Sequence, residues 1–179
     1  GYLLTNYTTS NSTSLTSLFP CFEIEPSLDE SYFVTFATHL AVRTGCKNIL
    51  DHLLSCLSKD AIKETLSKRD NIQIASLGLS GLTAIHHAVL SLQKDMLFHL
   101  MDLLQEDLME ITDAKGNTVL HTFAVAAYPE SEKTLALYDD FIGKLREICP
   151  DLSKRRAFFQ KENTTGKQSA LSLAASQKN

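Results

Sequence analysis

From Tyr32 onward, apolar residues recur along the chain at three- and four-residue spacing. Phe33, Phe36, Ala37, Leu40 and Ala41 form the first such set, and Gly45 follows where a left-handed residue would close a helix. Ile49, Leu50, Leu53, Leu54 and Leu57 make a second stripe, so this stretch predicts a helical hairpin. Ala61, Ile62 and Leu66 predict a short extra helix at the start of the more polar stretch 59–80. The next helix is expected from Thr83, carrying Ile85, Ala88 and Val89. Its partner runs from about Lys94 through Leu97, Leu100, Leu103 and Leu104. Residues 111–117 read as a turn and 118–127 as a short helix broken by Pro129. A long helix is expected over 131–148, its apolar face formed by Leu135, Tyr138, Phe141, Ile142, Leu145 and Ile148, with Cys149-Pro150 ending it. Residues 151–168 read as a polar connection to a last apolar stretch, 169–176. No strand-like alternation stands out, so the expected fold class is all-α.

The chain also resembles itself. Residues 81–88 read Gly-Leu-Thr-Ala-Ile-His-His-Ala and 116–123 read Gly-Asn-Thr-Val-Leu-His-Thr-Phe. Both fit Gly-x-Thr-x-aliphatic-His, and Asp113-Ala114-Lys115 precedes the second glycine. Thr38-His39-Leu40-Ala41 followed by Gly45 is a weaker copy, as is Ser169-Ala170-Leu171-Ser172-Leu173-Ala174-Ala175. The pattern resembles the ankyrin repeat, whose first helix opens on Thr-Pro-Leu-His-x-Ala. The resemblance implies an ankyrin-like solenoid of about four helix-turn-helix repeats, with copies near 32–58, 79–105, 113–150 and 163–179. The Thr is expected to cap the first helix, the His to bridge to a neighbouring repeat, and the Ala to let helices approach closely. No copy carries the motif proline, and the His39–His86, His86–His121 and His121–Ser172 spacings are 47, 35 and 51 residues, against a period of about 33. Copies one and three therefore carry insertions, and the last copy is incomplete. Locally, the segment from Gly116 to the final Leu-x-Leu-Ala-Ala is similar to the late repeats of vanilloid-type TRP channel ankyrin domains. The irregular repeats are also similar to those of bacterial effectors that use ankyrin folds.

Composition narrows the function. The chain has 179 residues and a net charge of −4, which disfavours a phosphate-backbone binder. Its 44% hydrophobic content is enough for a core, so disorder of the whole is excluded. No apolar run reaches the roughly 18 residues that a membrane span needs. Residues 1–18 hold nine Ser or Thr, and 1–31 read as a partly irregular N-terminal segment. The start at Gly1, with no signal peptide, reads as a cut or processed piece. Cys21, Cys46, Cys56 and Cys149 match no zinc spacing and are expected to be reduced and mostly buried.

Candidate chemistry is sparse. His39, His86 and His121 belong to the repeat pattern, His86 and His87 diverge on a helix, and no His-x-x-x-His pair occurs. Cys46 at a helix start is the nearest approach to an activated thiol. Lys154-Arg155-Arg156 reads as a solvated basic loop, and Asp139-Asp140 point apart on one helix. The expectation is therefore a non-enzymatic protein–protein interaction module, with no cofactor, metal site or nucleic acid, acting in the cytoplasm (host cytoplasm for a secreted effector). The alternative is the cytoplasmic ankyrin domain of a channel or other multidomain protein, or the non-catalytic part of an enzyme or effector. Repeat geometry assigns partner contacts to turn tips, Leu79, Ser80, Leu82, Ala114, Lys115 and Asn117. It adds the first-helix positions Arg43, Thr44, Leu90, Ser91, Val125 and Ala126. Leu79, Leu82 and Leu90 either form an exposed apolar cluster that marks a partner site or pack under the 59–80 stretch.

Overall fold

The computed structural model describes residues 30–126 and 132–176. The Ser/Thr-rich segment 1–29 with Cys21, together with Ala127 and Ser131, lies outside the described residues. The elements are α1 (Glu30–Thr44), α2 (Lys47–Leu54), α3 (Lys59–Ser67), β1 (Gln73–Ile74), β2 (Leu79–Ser80), α4 (Ala84–Leu90) and α5 (Lys94–Leu104). They continue with α6 (Val119–Ala126), α7 (Glu132–Ile148), α8 (Leu152–Gln160) and α9 (Ala170–Ser176). Short 3-10 turns occupy Ala75–Leu77 and Gln105–Met109. The fold is mostly helical, and no described helix is long and apolar enough to cross a membrane. Strand content among the described residues is a two-residue antiparallel hairpin, with Gln73 opposite Ser80 and Ile74 opposite Leu79, and one isolated bridge between Glu162 and Ser169.

The helices lie in two rows. In the first, α1 packs on α4, α4 on α6, and α6 on α9. In the second, α3 packs on α5 and α5 on α7. One continuous apolar core runs between the rows, from Ala41, Val42 and Leu50 through Ile85, Leu97 and Leu100 to Phe141, Leu145 and Phe158.

The stripe expected in α1 faces elsewhere. In α1, Phe36 and Leu40 are about half exposed (50% and 45%), whereas Thr35, Thr38, His39, Ala41 and Val42 are buried. The inward face is the one with small or hydrogen-bonding side chains, because α1 lies directly against α3 and α4. In α7 the expected face holds: Phe141 and Leu145 are buried and Tyr138, Ile142 and Ile148 pack against the core, while Leu135 is exposed and Thr134 and Leu137 are buried beside them. Residues 151–168, expected to be a polar connection, contain α8. Its Asp151 side chain accepts from the Ser153 and Lys154 N–H groups (2.8 and 3.4 Å), and Phe158 anchors it in the core. The Lys154-Arg155-Arg156 run is thus helical. Lys154 pairs with Glu106 at 2.5 Å, and Arg155 donates to the Cys149 carbonyl at 2.7 Å. Of the described cysteines, only Cys149 is buried. Cys46 and Cys56 are exposed at the ends of a short surface helix, contrary to the expected burial.

Helix α1 ends in a Schellman motif: Gly45 N–H donates to Val42 and Cys46 N–H to Ala41 (3.2 and 2.9 Å), with Gly45 at φ +71°. The equivalent end of α4 repeats both bonds, Leu92 to Val89 and Gln93 to Ala88, each 3.0 Å. The left-handed position there is Leu92, at φ +54°. An L-residue with a Cβ is strained in that conformation by about 1 kcal/mol. Leu92→Gly is therefore expected to stabilise the protein by up to about 1 kcal/mol in urea unfolding, less what glycine adds to the freedom of the unfolded chain. Destabilisation would show that the exposed Leu92 side chain contributes more than its backbone costs.

Candidate functional site

Three turn tips are built alike. The backbone N–H groups of Asp70, Asp113 and Asn163 donate to the carbonyls of Leu82, Asn117 and Gln168 at 2.8, 2.9 and 2.9 Å. Each side-chain oxygen then accepts from N–H groups inside its own loop. Asp70 Oδ1 accepts from Ile72 and Leu82 (3.0 and 2.8 Å), and Asp113 Oδ1 from Lys115 and Asn117 (both 2.8 Å). Asn163 Oδ1 accepts from Gly166 and Gln168 (3.0 and 3.2 Å). The first loop is longer because the β1–β2 hairpin is inserted into it.

Successive tips are joined through their backbones. Ala114 N–H donates to the Ser80 carbonyl (3.0 Å), and Thr164 N–H to that of Lys115 (2.9 Å). The approach is close at Gly116, φ +75°, where a Cβ would lie 2.8 Å from the Thr164 nitrogen.

Behind the tips, two histidines tie one loop to the next. His86 Nδ1 lies 2.8 Å from Thr83 Oγ1 and accepts from the Thr83 N–H at 3.3 Å, while its Nε2 lies 3.1 Å from the Asn117 carbonyl. His121 repeats this with Thr118 Oγ1 (3.0 Å), the Thr118 N–H (3.2 Å) and the Gln168 carbonyl (2.9 Å). A carbonyl only accepts, so Nε2 must carry the proton and Nδ1 must be the acceptor. Burial holds His86 well below the ordinary histidine range, at about 4, so at neutral pH it is the uncharged Nε2–H form.

The expected contact residues divide into two groups. Arg43, Thr44 and Ala114 are exposed, and Ser80, Leu90, Ser91, Lys115 and Ala126 are partly so. Leu79, Leu82, Asn117 and Val125, expected on the surface, are buried. Leu79, Leu82 and Val125 form a small second core with Ile74, Leu77, Leu90 and Leu173, because the inserted hairpin folds over the tip leucines. Asn117 is held by Asp113 Oδ2 and by the Asn163 amide (2.9 and 3.0 Å). Lys115 Nζ donates to the Gly78 carbonyl at 2.6 Å, across a shallow pocket of about 390 Å³ that the tips enclose.

A larger groove was not expected from the sequence. It has a volume of about 650 Å³ and lies between α6, α7, α8 and α9, with Leu120, Phe123, Leu135, Tyr138, Phe159 and Leu171 among its walls. Leu135 is 49% exposed and Leu171 79%. Phe123 meets Tyr138 edge to face and Phe141 at a tilt, with ring centroids 5.4 and 5.2 Å apart, so two aromatic rings, Phe123 and Tyr138, line the groove together. Glu162 adds a carboxylate to the lining. No sequence signal marked this groove, because Leu135 falls within the stripe read for 131–148 and Phe159 within the stretch read as a polar connection.

The His86 environment sets a pH dependence. The unfolded residue takes up a proton near 6.5, the folded one only near 4. Its stabilising contribution is full above that window and is lost as pH falls from 6.5 towards 4. Between pH 7 and pH 5 this amounts to about 2 kcal/mol. Urea unfolding at both values should show His86→Gln less stable than wild type at pH 7 but with a correspondingly smaller loss at pH 5. Equal losses would contradict a neutral, buried His86. A comparison with known protein families, curated proteins and solved structures finds no match for this chain.

Proposed function

We propose that the chain is an ankyrin-like stack of helical pairs that works by binding another protein rather than by catalysis, and that its partner lies in the groove between α6, α7, α8 and α9. The two-row packing, the tip loops and the Thr–His pairs support the ankyrin-like reading. The observation that carries the binding reading is the groove itself, an open, aromatic-floored surface with Leu135 and Leu171 left in water. The tip leucines Leu79 and Leu82 are used in the second core, so among the described residues the groove offers more exposed apolar surface than the tips. Its chemistry fits an amphipathic segment whose apolar side chains enter the groove, with a basic residue facing Glu162.

The test is a selection of displayed helical peptides against the chain. The expected result is an amphipathic peptide whose affinity falls by about tenfold or more in Leu171→Glu and in Leu135→Glu. Both side chains are exposed enough for the variants to keep the wild-type circular dichroism. Lys115→Glu, on the tip face, should leave binding unchanged. Peptides lost with Lys115→Glu and kept by both groove variants would overturn the groove assignment in favour of the tips.

A further inference from the structure

The first joint of the stack departs from the other two at three residues, and the departures meet in space. His39 stands where His86 and His121 stand in their copies, with Ala41 two residues on as Ala88 follows His86. At the Thr position three residues earlier it has Phe36. Neither His39 ring nitrogen makes a well-formed hydrogen bond, although only 3% of the residue is exposed; its polar contact with the Lys68 backbone is a weak one. Leaving such a group buried without a good partner destabilises the fold. His87, the neighbour of the motif histidine, turns towards this ring, with centroids 5.3 Å apart. Asp70 is the tip residue of copy two. Its Oδ1 is spent on the Ile72 and Leu82 N–H groups, and its Oδ2 lies 2.5 Å from His87 Nε2. In copy three the equivalent Asp113 Oδ2 is taken by the Asn117 amide. One ligand atom from each of His39, Asp70 and His87 falls within 4.8 Å of the others.

We propose that His39, Asp70 and His87 form a binding site for a divalent transition-metal ion of the zinc class, placed across the joint between α1 and α4. Two imidazoles and one carboxylate suit zinc and cobalt(II), and disfavour the hard cations magnesium and calcium, which select oxygen ligands. Asp70 binds through Oδ2 alone, and the two backbone N–H bonds to Oδ1 orient it from behind. On binding, the proton shared between His87 Nε2 and Asp70 Oδ2 leaves to solvent, and both atoms turn to the metal. The pair must then open to the roughly 3.3 Å that two ligands about 2 Å from a tetrahedral ion require. His86 is not a ligand, because Thr83 and Asn117 occupy both of its nitrogens. Arg43, exposed on α1, acts on His87 and opposes added positive charge there. The metal supplies at this joint the tie between neighbouring helical pairs that a histidine and a backbone carbonyl supply at the next two.

The test is titration of the full chain with zinc in competition with a chromophoric chelator at neutral pH, beside cobalt(II) absorption and thermal unfolding. The expected result is one tight equivalent per chain, a raised Tm, and cobalt d–d bands without a thiolate charge-transfer band. Asp70→Asn keeps an acceptor for Ile72 and Leu82, and should weaken binding about a hundredfold. His39→Leu removes only the weak contact with the Lys68 backbone. It should leave the metal-free protein as stable as wild type or more so, while abolishing the tight equivalent. A variant carrying Cys46→Ser, Cys56→Ser and His99→Asn should bind like wild type. No tight equivalent, equal binding by His39→Leu and Asp70→Asn, or loss in the cysteine and His99 variant would each overturn the proposal.

Discussion

The hydrogen bond from a neutral imidazole Nε2–H to a backbone carbonyl of the following loop ties one helical pair to the next. His86 reaches Asn117 and His121 reaches Gln168, through a sequence separation of 31 and 47 residues. Such a bond demands a fixed tautomer, and the Thr side chain three residues earlier provides it by engaging Nδ1. It also demands that the receiving loop present its carbonyl at one height. The Asp or Asn that opens each tip sets this height by pinning the loop's own N–H groups. Gly116 then permits the backbone approach that lets Thr164 bond to the Lys115 carbonyl. These parts depend on one another: a tip of the wrong length would leave the buried ring without an acceptor.

The two rows are held by different physics. The first row carries buried polar groups, the Thr–His pairs of copies two and three among them. The second is laced by exposed ion pairs: Lys63 with Asp107, Lys94 with Asp140 at 2.7 Å, Lys144 with Asp102 at 2.8 Å, and Lys161 with Glu110 at 2.6 Å. Exposed pairs of this kind are worth at most about 1 kcal/mol each. Their effect is to favour one register between neighbouring helices, while the continuous core between the rows supplies the main stabilisation. The groove sits where this scheme stops: α9 lies against α6 and α8 and leaves Leu171 in water.

Much of this was legible in the sequence. The glycines, threonines and histidines of copies two and three marked the helix starts and the tip loops, because each performs a backbone-specific task that few other residues can. The helical stripe failed in α1, and in α7 it failed at Leu135 alone, while Phe141 and Leu145 are buried and Tyr138, Ile142 and Ile148 pack against the core. Thr35, Thr38 and Thr134 are buried, and Phe36 and Leu135 are not. Helix α8 was missed because an Asp cap and one buried Phe158 leave little periodicity. The burial of Leu79 and Leu82 depends on where the hairpin folds back, and the meeting of His39, Asp70 and His87 depends on three separate elements. The second leaves no trace in linear spacing, whereas packing of Leu79 and Leu82 under the 59–80 stretch was one of the two placements the sequence left open.

The most direct test of the joint is nitrogen-15 NMR of the histidine rings at neutral pH. The arrangement requires His86 and His121 to appear as Nε2–H tautomers, each proton coupled across its hydrogen bond to the carbonyl of Asn117 or Gln168. Nδ1–H tautomers, or freely exchanging rings without that coupling, would contradict the account of how these helical pairs are held together.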